Sequence, residues 1–337
     1  MKRLALAVAV TALLFAAGGA AFMIETLYRA PRNGRGETVR FTVERGQPFS
    51  AVAAGLARDG LIRHSRLFNL YAVLNGYDRS IDSGTYEFAI GEAPADILKR
   101  LIAGDVLQVS FTVPEGQNLW EVAGIVHVRT GVDSSAFASY ASSPQAAAGL
   151  GIDALSLEGF LFPETYLVRW GTSSEEIAGM MVSNCIGVFD ACCRATADSL
   201  GMTMTAVMTL ASIIEAETRL PEERPLVSAV YHNRLEKHMK LEADPTVAYA
   251  MGGYRGRLLY EDLLVDSPYN TYTHYGLPPG PICSPGEASI EAALHPAPSC
   301  RALYFVAKGD GSHIFSVTLK DHRAAVLAVR KDRGRSR

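Results

Sequence analysis

Glu215 closes the run Leu210-Ala211-Ser212-Ile213-Ile214 and is followed at once by Ala216, Glu217 and Thr218. A carboxyl at the edge of an apolar helical run is costly to ionise, because desolvation disfavours the charged form. A carboxyl that keeps its proton near neutral pH is what a general acid requires. The chemistry this points to is protonation of a leaving group by one glutamate. Possible partners are Glu242 and Asp244 in Leu241-Glu242-Ala243-Asp244-Pro245-Thr246, and Glu158 or Glu164 upstream. Two carboxylates suit glycosidic cleavage, one as the acid and the other as nucleophile or as the base for water. A single acid suffices where an internal hydroxyl replaces the water.

The segment 267–280, Ser-Pro-Tyr-Asn-Thr-Tyr-Thr-His-Tyr-Gly-Leu-Pro-Pro-Gly, gathers three tyrosines, an asparagine, a histidine and two threonines. Such side chains stack on sugar rings and hydrogen-bond hydroxyls, and the Pro-Pro-Gly end stiffens the loop. Asn270, Tyr272 and Asp244 are the candidates for positioning a sugar. A second aromatic insert, Leu157 to Tyr166, carries Glu158 and Glu164, and reads equally as a packed loop or as a sugar-lining one. His274, His295 and His313 match no zinc spacing, and no HExxH is present. Neither a metal nor a cofactor is expected. Ser212 stands in no GxSxG elbow.

The elements that must position these groups follow from periodicity. Thr203 to Thr218 reads as a helix with Val207, Leu210, Ala211 and Ile214 on one face. At 3.6 residues per turn Glu217 lies about 200° round from Glu215, so the two are not expected to share a site. A second helix is expected from about Glu222 to Lys237, and a hairpin from 302–307 and 313–317. Upstream, residues 39–107 read as a small module of strand, two helices, strand and helix. Phe41-Thr42-Val43-Glu44-Arg45-Gly46-Gln47 is echoed by Phe111-Thr112-Val113-Pro114-Glu115-Gly116-Gln117. Each is a strand, a glycine turn and the start of a helix. This unit recurs in small carbohydrate-binding modules, and is also a common local arrangement.

The chain of 337 residues has a net charge of −3, which gives no electrostatic case for nucleic acid. Lys2 and Arg3 precede an uncharged stretch from Leu4 to Ile24, about the length that spans a bilayer. The basic pair predicts a cytoplasmic N-terminus (residues 1–3), an anchor at 4–24, a linker at 25–38 and an exported remainder. The small residues Ala17 to Ala21 leave a cleaved signal peptide as the alternative. The five cysteines, Cys185, Cys192, Cys193, Cys283 and Cys300, form no CxxC pair, and no disulfide is expected. A basic tail is expected at 331–337.

The motifs Ala211-Ser212-Ile213-Ile214-Glu215-Ala216-Glu217-Thr218, Asn233-Arg234-Leu235, Asp244-Pro245-Thr246-Val247, Tyr269-Asn270-Thr271-Tyr272, Gly276-Leu277-Pro278-Pro279-Gly280-Pro281-Ile282, Pro285-Gly286 and Ala292-Ala293-Leu294-His295-Pro296 together resemble the YceG-like, or MltG-type, endolytic murein transglycosylases. The resemblance covers about residues 40–325 and the N-terminal anchor. It implies an α+β protein of the inner membrane. A LysM-like module would occupy 39–107 and an extracytoplasmic catalytic domain 108–330. It further implies cleavage within nascent peptidoglycan strands, association with penicillin-binding protein synthases, and Glu215 as the catalytic residue. Where the family commonly has Gln, this chain has Glu242, which would repel Glu215 if the two lie close. Two rival readings remain: a two-carboxylate hydrolase, and a membrane-anchored scaffold that binds peptidoglycan without cutting it.

Overall fold

The computed structural model describes residues 2–30, 37–253 and 258–335. The fold is mixed α+β and divides into two compact units. The first comprises Met1–Val109 with Leu167–Gly171, the second Ser110–Tyr166 with Thr172–Arg337.

The first unit begins with α1 (Lys2–Tyr28), whose segment Ala9–Tyr28 is long and apolar enough to cross a membrane. The helix continues through 25–28, where the sequence suggested a linker. Its last turn places Leu27 in the unit's core, and residues 31–36 lie outside the described residues. β1 (Thr38–Val43) pairs antiparallel with β2 (Gly84–Ala89), in the register Thr38↔Ala89 to Val43↔Gly84. Between them run α2 (Phe49–Arg58) and α3 (Ser65–Leu74), and α4 (Pro94–Ala103) follows. Phe41 and Val43 point inward by strand alternation. Phe49, Val52, Ala53 and Leu56 do so by helical spacing, and all meet Phe68, Tyr86, Phe88 and Ile97 in one core. α4 stops at Gly104, which takes a left-handed conformation.

β3 (Gln108–Thr112) carries the chain toward the second unit and pairs with β4 (Thr165–Arg169), a strand the sequence did not suggest. The second unit holds α5 (Leu119–Thr130), α6 (Ser134–Ala141), α7 (Pro144–Gly149), α8 (Ser174–Cys192) and α9 (Arg194–Ser199). At its centre is α10 (Met204–Glu217), packed on α11 (Arg224–Glu236), α12 (Asp244–Ala250) and α13 (Glu287–Leu294). Every residue of α10 from Val207 to Ile214 is buried, not one face alone. The two polar side chains in that run are satisfied locally: Thr209 Oγ1 donates to Thr205 O, and Ser212 Oγ to Thr209 O. The hairpin β5 (Tyr304–Ala307) and β6 (His313–Ser316) and the helix α14 (Leu319–Arg335) complete the unit. The expected basic tail is helical backbone as far as Arg335. The side chains of Arg333 and Arg335, and all of Arg337, lie outside the described residues.

Candidate active site

A cleft of about 900 Å³ crosses the C-terminal end of α10. Glu115, Asn118, Glu215, Glu217, Asp244 and Tyr249 are among the residues that line it. Glu215 sits where four segments converge. Its Oε2 accepts hydrogen bonds from the backbone N–H of Gly286 (3.1 Å) and the hydroxyl of Ser289 (2.7 Å). Its Oε1 accepts from Arg224 Nη2 at 3.2 Å. These contacts depend on α10 itself. One turn before Glu215, Ser212 Oγ accepts from Ile282 N–H, and Cys283 Sγ donates to Ser212 O. The loop 281–286 is thereby clamped to the helix, and the start of α13 is delivered to the carboxyl.

The sequence suggested an apolar, desolvated Glu215. Its side chain is only 9% exposed, and the structure adds three donors, one of them a guanidinium. Burial also acts on two other carboxyls of the unit. Burial pushes Glu217 up to about 7, against the lowering effect of the Tyr231 hydroxyl that donates to it at 2.9 Å. Burial likewise raises Glu158 to about 7, although Leu119 N–H and the Tyr249 hydroxyl donate to it.

The expectation that Glu215 and Glu217 cannot share a site is corrected. Both line the cleft, because the cleft runs across the end of the helix and not along its flank. Their carboxyls nonetheless part company. One engages Arg224 and the other Tyr231, seven residues on along α11. Two helical turns separate those partners, about 10 Å.

The sequence-suggested sugar contacts divide three ways. Asp244 heads α12 and lines the cleft. Its Oδ1 accepts from the Tyr272 hydroxyl at 2.6 Å, which orients both side chains. Tyr272, Glu242, Glu217 and Asp244 line a neighbouring cavity of about 470 Å³ beside β5 and α14, so Glu217 and Asp244 form the wall between the two spaces. Asn270 is corrected to a structural role. It is fully buried, its Nδ2 donates to Leu263 O and Val265 O, and its Oδ1 accepts from Tyr272 N–H. Both ends of that amide are engaged by the loop's own backbone. Glu242 is ion-paired to Arg234 Nη1 at 3.0 Å and lines the cavity that Glu215 does not reach, so the suggested repulsion of Glu215 is not built. Glu164 is exposed at the start of β4, with its Oε1 on Thr165 N–H, and lines neither space.

Most of the polar motif residues are framework. Arg234 Nη1 donates to Lys240 O and Leu241 O, and its Nε donates to Leu303 O. Thr246 Oγ1 and Thr271 Oγ1 lie 2.9 Å apart in the interior, and Thr271 Oγ1 also accepts from Ala243 N–H. They hold Asp244 and Tyr272 at the cleft edge. Sequence reasoning missed Glu115, Arg224, Ser289 and Trp120. Glu115 Oε2 lies 3.7 Å from Arg224 Nη2, and burial and the charge of Glu215 raise it above the ordinary carboxyl range. Trp120 is half-exposed, 5.9 Å between ring centroids from the cleft residue Tyr249. The one available signal for Glu115 was its place in the repeated strand–turn–helix pattern.

A model of the YceG-like family matches residues 41–328. The chain belongs to the YceG-like family. Among relatives of this YceG-like chain, a Bacillus subtilis protein named endolytic murein transglycosylase is 32% identical over 91% of this chain and 89% of its own length. A Streptococcus pneumoniae protein of the same name is 28% identical over 92% of this chain, which spans 62% of that longer relative. The crystal structure of a yceG-like protein from Listeria monocytogenes matches with a TM-score of 0.59 and 31% identity, covering 86% of this chain and 99% of the other. The YceG-like match includes every segment that builds the cleft.

Proposed function

We propose that this protein is an endolytic lytic transglycosylase that cuts within peptidoglycan glycan strands, with Glu215 as its acid and base. The observation that carries the reading is the placement of Glu215. It lies at the end of a helix buried from Val207 to Ile214, on an open cleft, its carboxyl fixed by three donors from α11, α13 and the residue that caps α13. Glu215 first donates a proton to the oxygen that leaves between N-acetylmuramic acid and N-acetylglucosamine, and the C1–O bond breaks. The carboxylate left behind then faces the oxocarbenium-like centre, its oxygens within hydrogen-bond reach of Arg224, Ser289 and the Gly286 N–H. It takes the proton of the C6 hydroxyl as that oxygen closes onto C1, giving a 1,6-anhydro end. The attack is internal to one sugar, so proximity replaces a water-activating base. Asp244 and Tyr272, locked to each other at the cleft edge, would receive sugar hydroxyls, and Trp120 and Tyr249 offer ring faces.

The test is mass spectrometry of uncrosslinked strands treated with wild type and Glu215→Gln. Wild type gives internal fragments one water lighter than hydrolysis products. Glu215→Gln loses on the order of 10³-fold in rate while keeping its far-UV spectrum. Full activity in the folded variant overturns the assignment.

One observation favours a second reading. Glu217, raised to about 7 by burial, is the cleft carboxyl best suited to hold a proton. A two-carboxylate hydrolase with Glu217 as acid and Glu215 as its charged partner would release products with water added, and Glu217→Gln would then be as inactive as Glu215→Gln.

The first unit, with its strand–helix–helix–strand core, is proposed as the LysM-like module that holds the strand. The helix α1, uncharged from Leu4 to Ile24 after Lys2-Arg3, is proposed as an anchor with its N-terminus in the cytoplasm. An enzyme so held acts where strands emerge, beside penicillin-binding protein synthases, and thereby sets strand length.

A further inference from the structure

Glu115 stands in the cleft without a part in the reaction drawn above, yet the chain is built around it. Gly116, at φ +75°, makes the turn that brings Glu115 beside Glu215. Two reciprocal backbone hydrogen bonds, Gly116 N–H to Ser284 O and Ser284 N–H to Gln117 O, each 2.8 Å, lash this turn to the loop that ends at Gly286. A Cβ on Gly286 would stand 1.9 Å from Glu115 Oε1 and 2.1 Å from its Cδ. Gly286 has φ −79°, open to any residue, so the glycine makes room for the Glu115 carboxyl and answers no backbone need. The same Gly286 donates its N–H to Glu215.

Both carboxyls face one cation. Arg224 Nη2 lies 3.2 Å from Glu215 Oε1 and 3.7 Å from Glu115 Oε2, and the Arg224 side chain is 11% exposed. Its Nε is buried with no hydrogen-bond partner among the described residues. The guanidinium therefore spends one terminal nitrogen on two acids and is not engaged by either in bidentate fashion. We infer that Glu115 is a positioning residue for the acid–base chemistry of Glu215, dividing Arg224 so that this cation does not close fully onto Glu215. The inference rests on the assignment of Glu215 made above.

The reasoning is electrostatic. Without the Glu115 carboxylate, Arg224 is free to make a forked pair with Glu215, and a neighbouring negative charge is lost. Both changes favour the charged form of Glu215, and the protonated form that starts the reaction becomes rarer at a given pH. The other charged or polar groups at the cleft are Ser289 and the Gly286 N–H from the start of α13, Asp244 and Tyr249 of α12, Gln117, Asn118 and Glu121 at the start of α5, Arg219 just past α10, and Glu217 on α10 itself.

The test is the pH profile of kcat/KM, measured on the full chain in detergent with uncrosslinked glycan strands. Glu115→Gln is expected to move the basic limb down by about one pH unit, on the order of a ten-fold loss above that limb and little loss well below it. Gly286→Ala should give the same displacement, because the new methyl expels the Glu115 carboxyl while leaving every charge in the sequence and the Gly286 N–H donor in place. Arg224→Gln should move the limb upward. A Glu115→Gln profile that superimposes on wild type, or that falls uniformly at all pH values, overturns the inference. Glu215→Gln run in parallel separates the two claims. If it is inactive while the Glu115→Gln profile is unmoved, the assignment of Glu215 stands and the role of Glu115 fails. If Glu215→Gln is active, both fail.

Discussion

The strand–turn–helix occurs twice, once in each unit, and the two copies have been put to different uses. In the first, Phe41 and Val43 enter the core, Gly46 turns at φ +77°, and α2 follows Pro48, which gives no side-chain cap. The turn is closed by its own Gln47, which accepts from Glu44 N–H, and Arg45 is exposed. In the second, Phe111 and Val113 enter the core and Gly116 turns at φ +75°, so the backbone is the same. Here Glu115 replaces Arg45 and reaches the active-site cation. The helix that follows carries a full capping box between Asn118 and Glu121, with buried Glu158 accepting from Leu119 N–H as well. One local solution thus serves as plain scaffold in one place and as a mount for a carboxylate in the other. The difference lies in the side chain just before the glycine and in what meets the helix N-terminus.

Exchanging the residue before the glycine breaks the comparison most severely. Glu115→Arg puts a second cation beside Arg224, and strand cleavage is expected to fall by on the order of 10²-fold or more at neutral pH, read by product yield. The next effect is on stability and belongs to the second copy. Glu158 goes from 4.5 to about 7 on folding, so the folded state binds its proton more tightly. Its contribution is fully present below about pH 4.5 and is lost as pH rises through about 7, a change on the order of 3 kcal/mol. Glu217 adds a slope of the same sign. Thermal or denaturant unfolding from pH 4.5 to 8 should therefore show stability declining with pH, and Glu158→Gln should remove about half of that decline. An unchanged slope in the variant refutes the account. Smaller again, Asn118→Ala should cost about 1 kcal/mol through loss of the cap, measurable as a lower denaturation midpoint. Smallest is Arg45→Glu, the reverse exchange, which should leave cleavage unchanged and shift stability by less than about 0.5 kcal/mol.

The helix under Glu215 was legible because a buried run ending in a carboxyl has a periodic signature, and the hairpin and the five elements of residues 39–102 were legible for the same reason. The 200° argument about Glu217 failed on a different point: angular separation excludes a shared site only if the site lies along a helix flank. Asn270 and Glu164 were misread because a polar side chain in an aromatic loop looks the same whether it greets a sugar or satisfies the loop's own backbone. Asn270 does the latter, and its burial is a property of the assembled unit. Glu115, Arg224 and Ser289 come from points far apart in the chain. No spacing rule brings positions 115, 215, 224 and 289 together, since what does so is the clamp of Ser212 on the loop 281–286 and the turn at Gly116. β4 escaped notice because its partner β3 lies more than fifty residues earlier.

The last turns of α1 hold a consequence for how the protein stands. Leu27 is 3% exposed within the first unit's core, Phe22 lies 5.7 Å from the His64 ring, and Arg63 donates to Ala30 O just past the helix. The apolar segment Ala9–Tyr28 overlaps the turns that pack on the unit, so its last seven residues, from Phe22, are committed to protein. Were the earlier turns of this helix to enter a bilayer, the folded unit would sit against its surface with no tether between them. The last turns of α1 and the unit share one core, so the direction of α1 would then set which face the unit turns away from that surface.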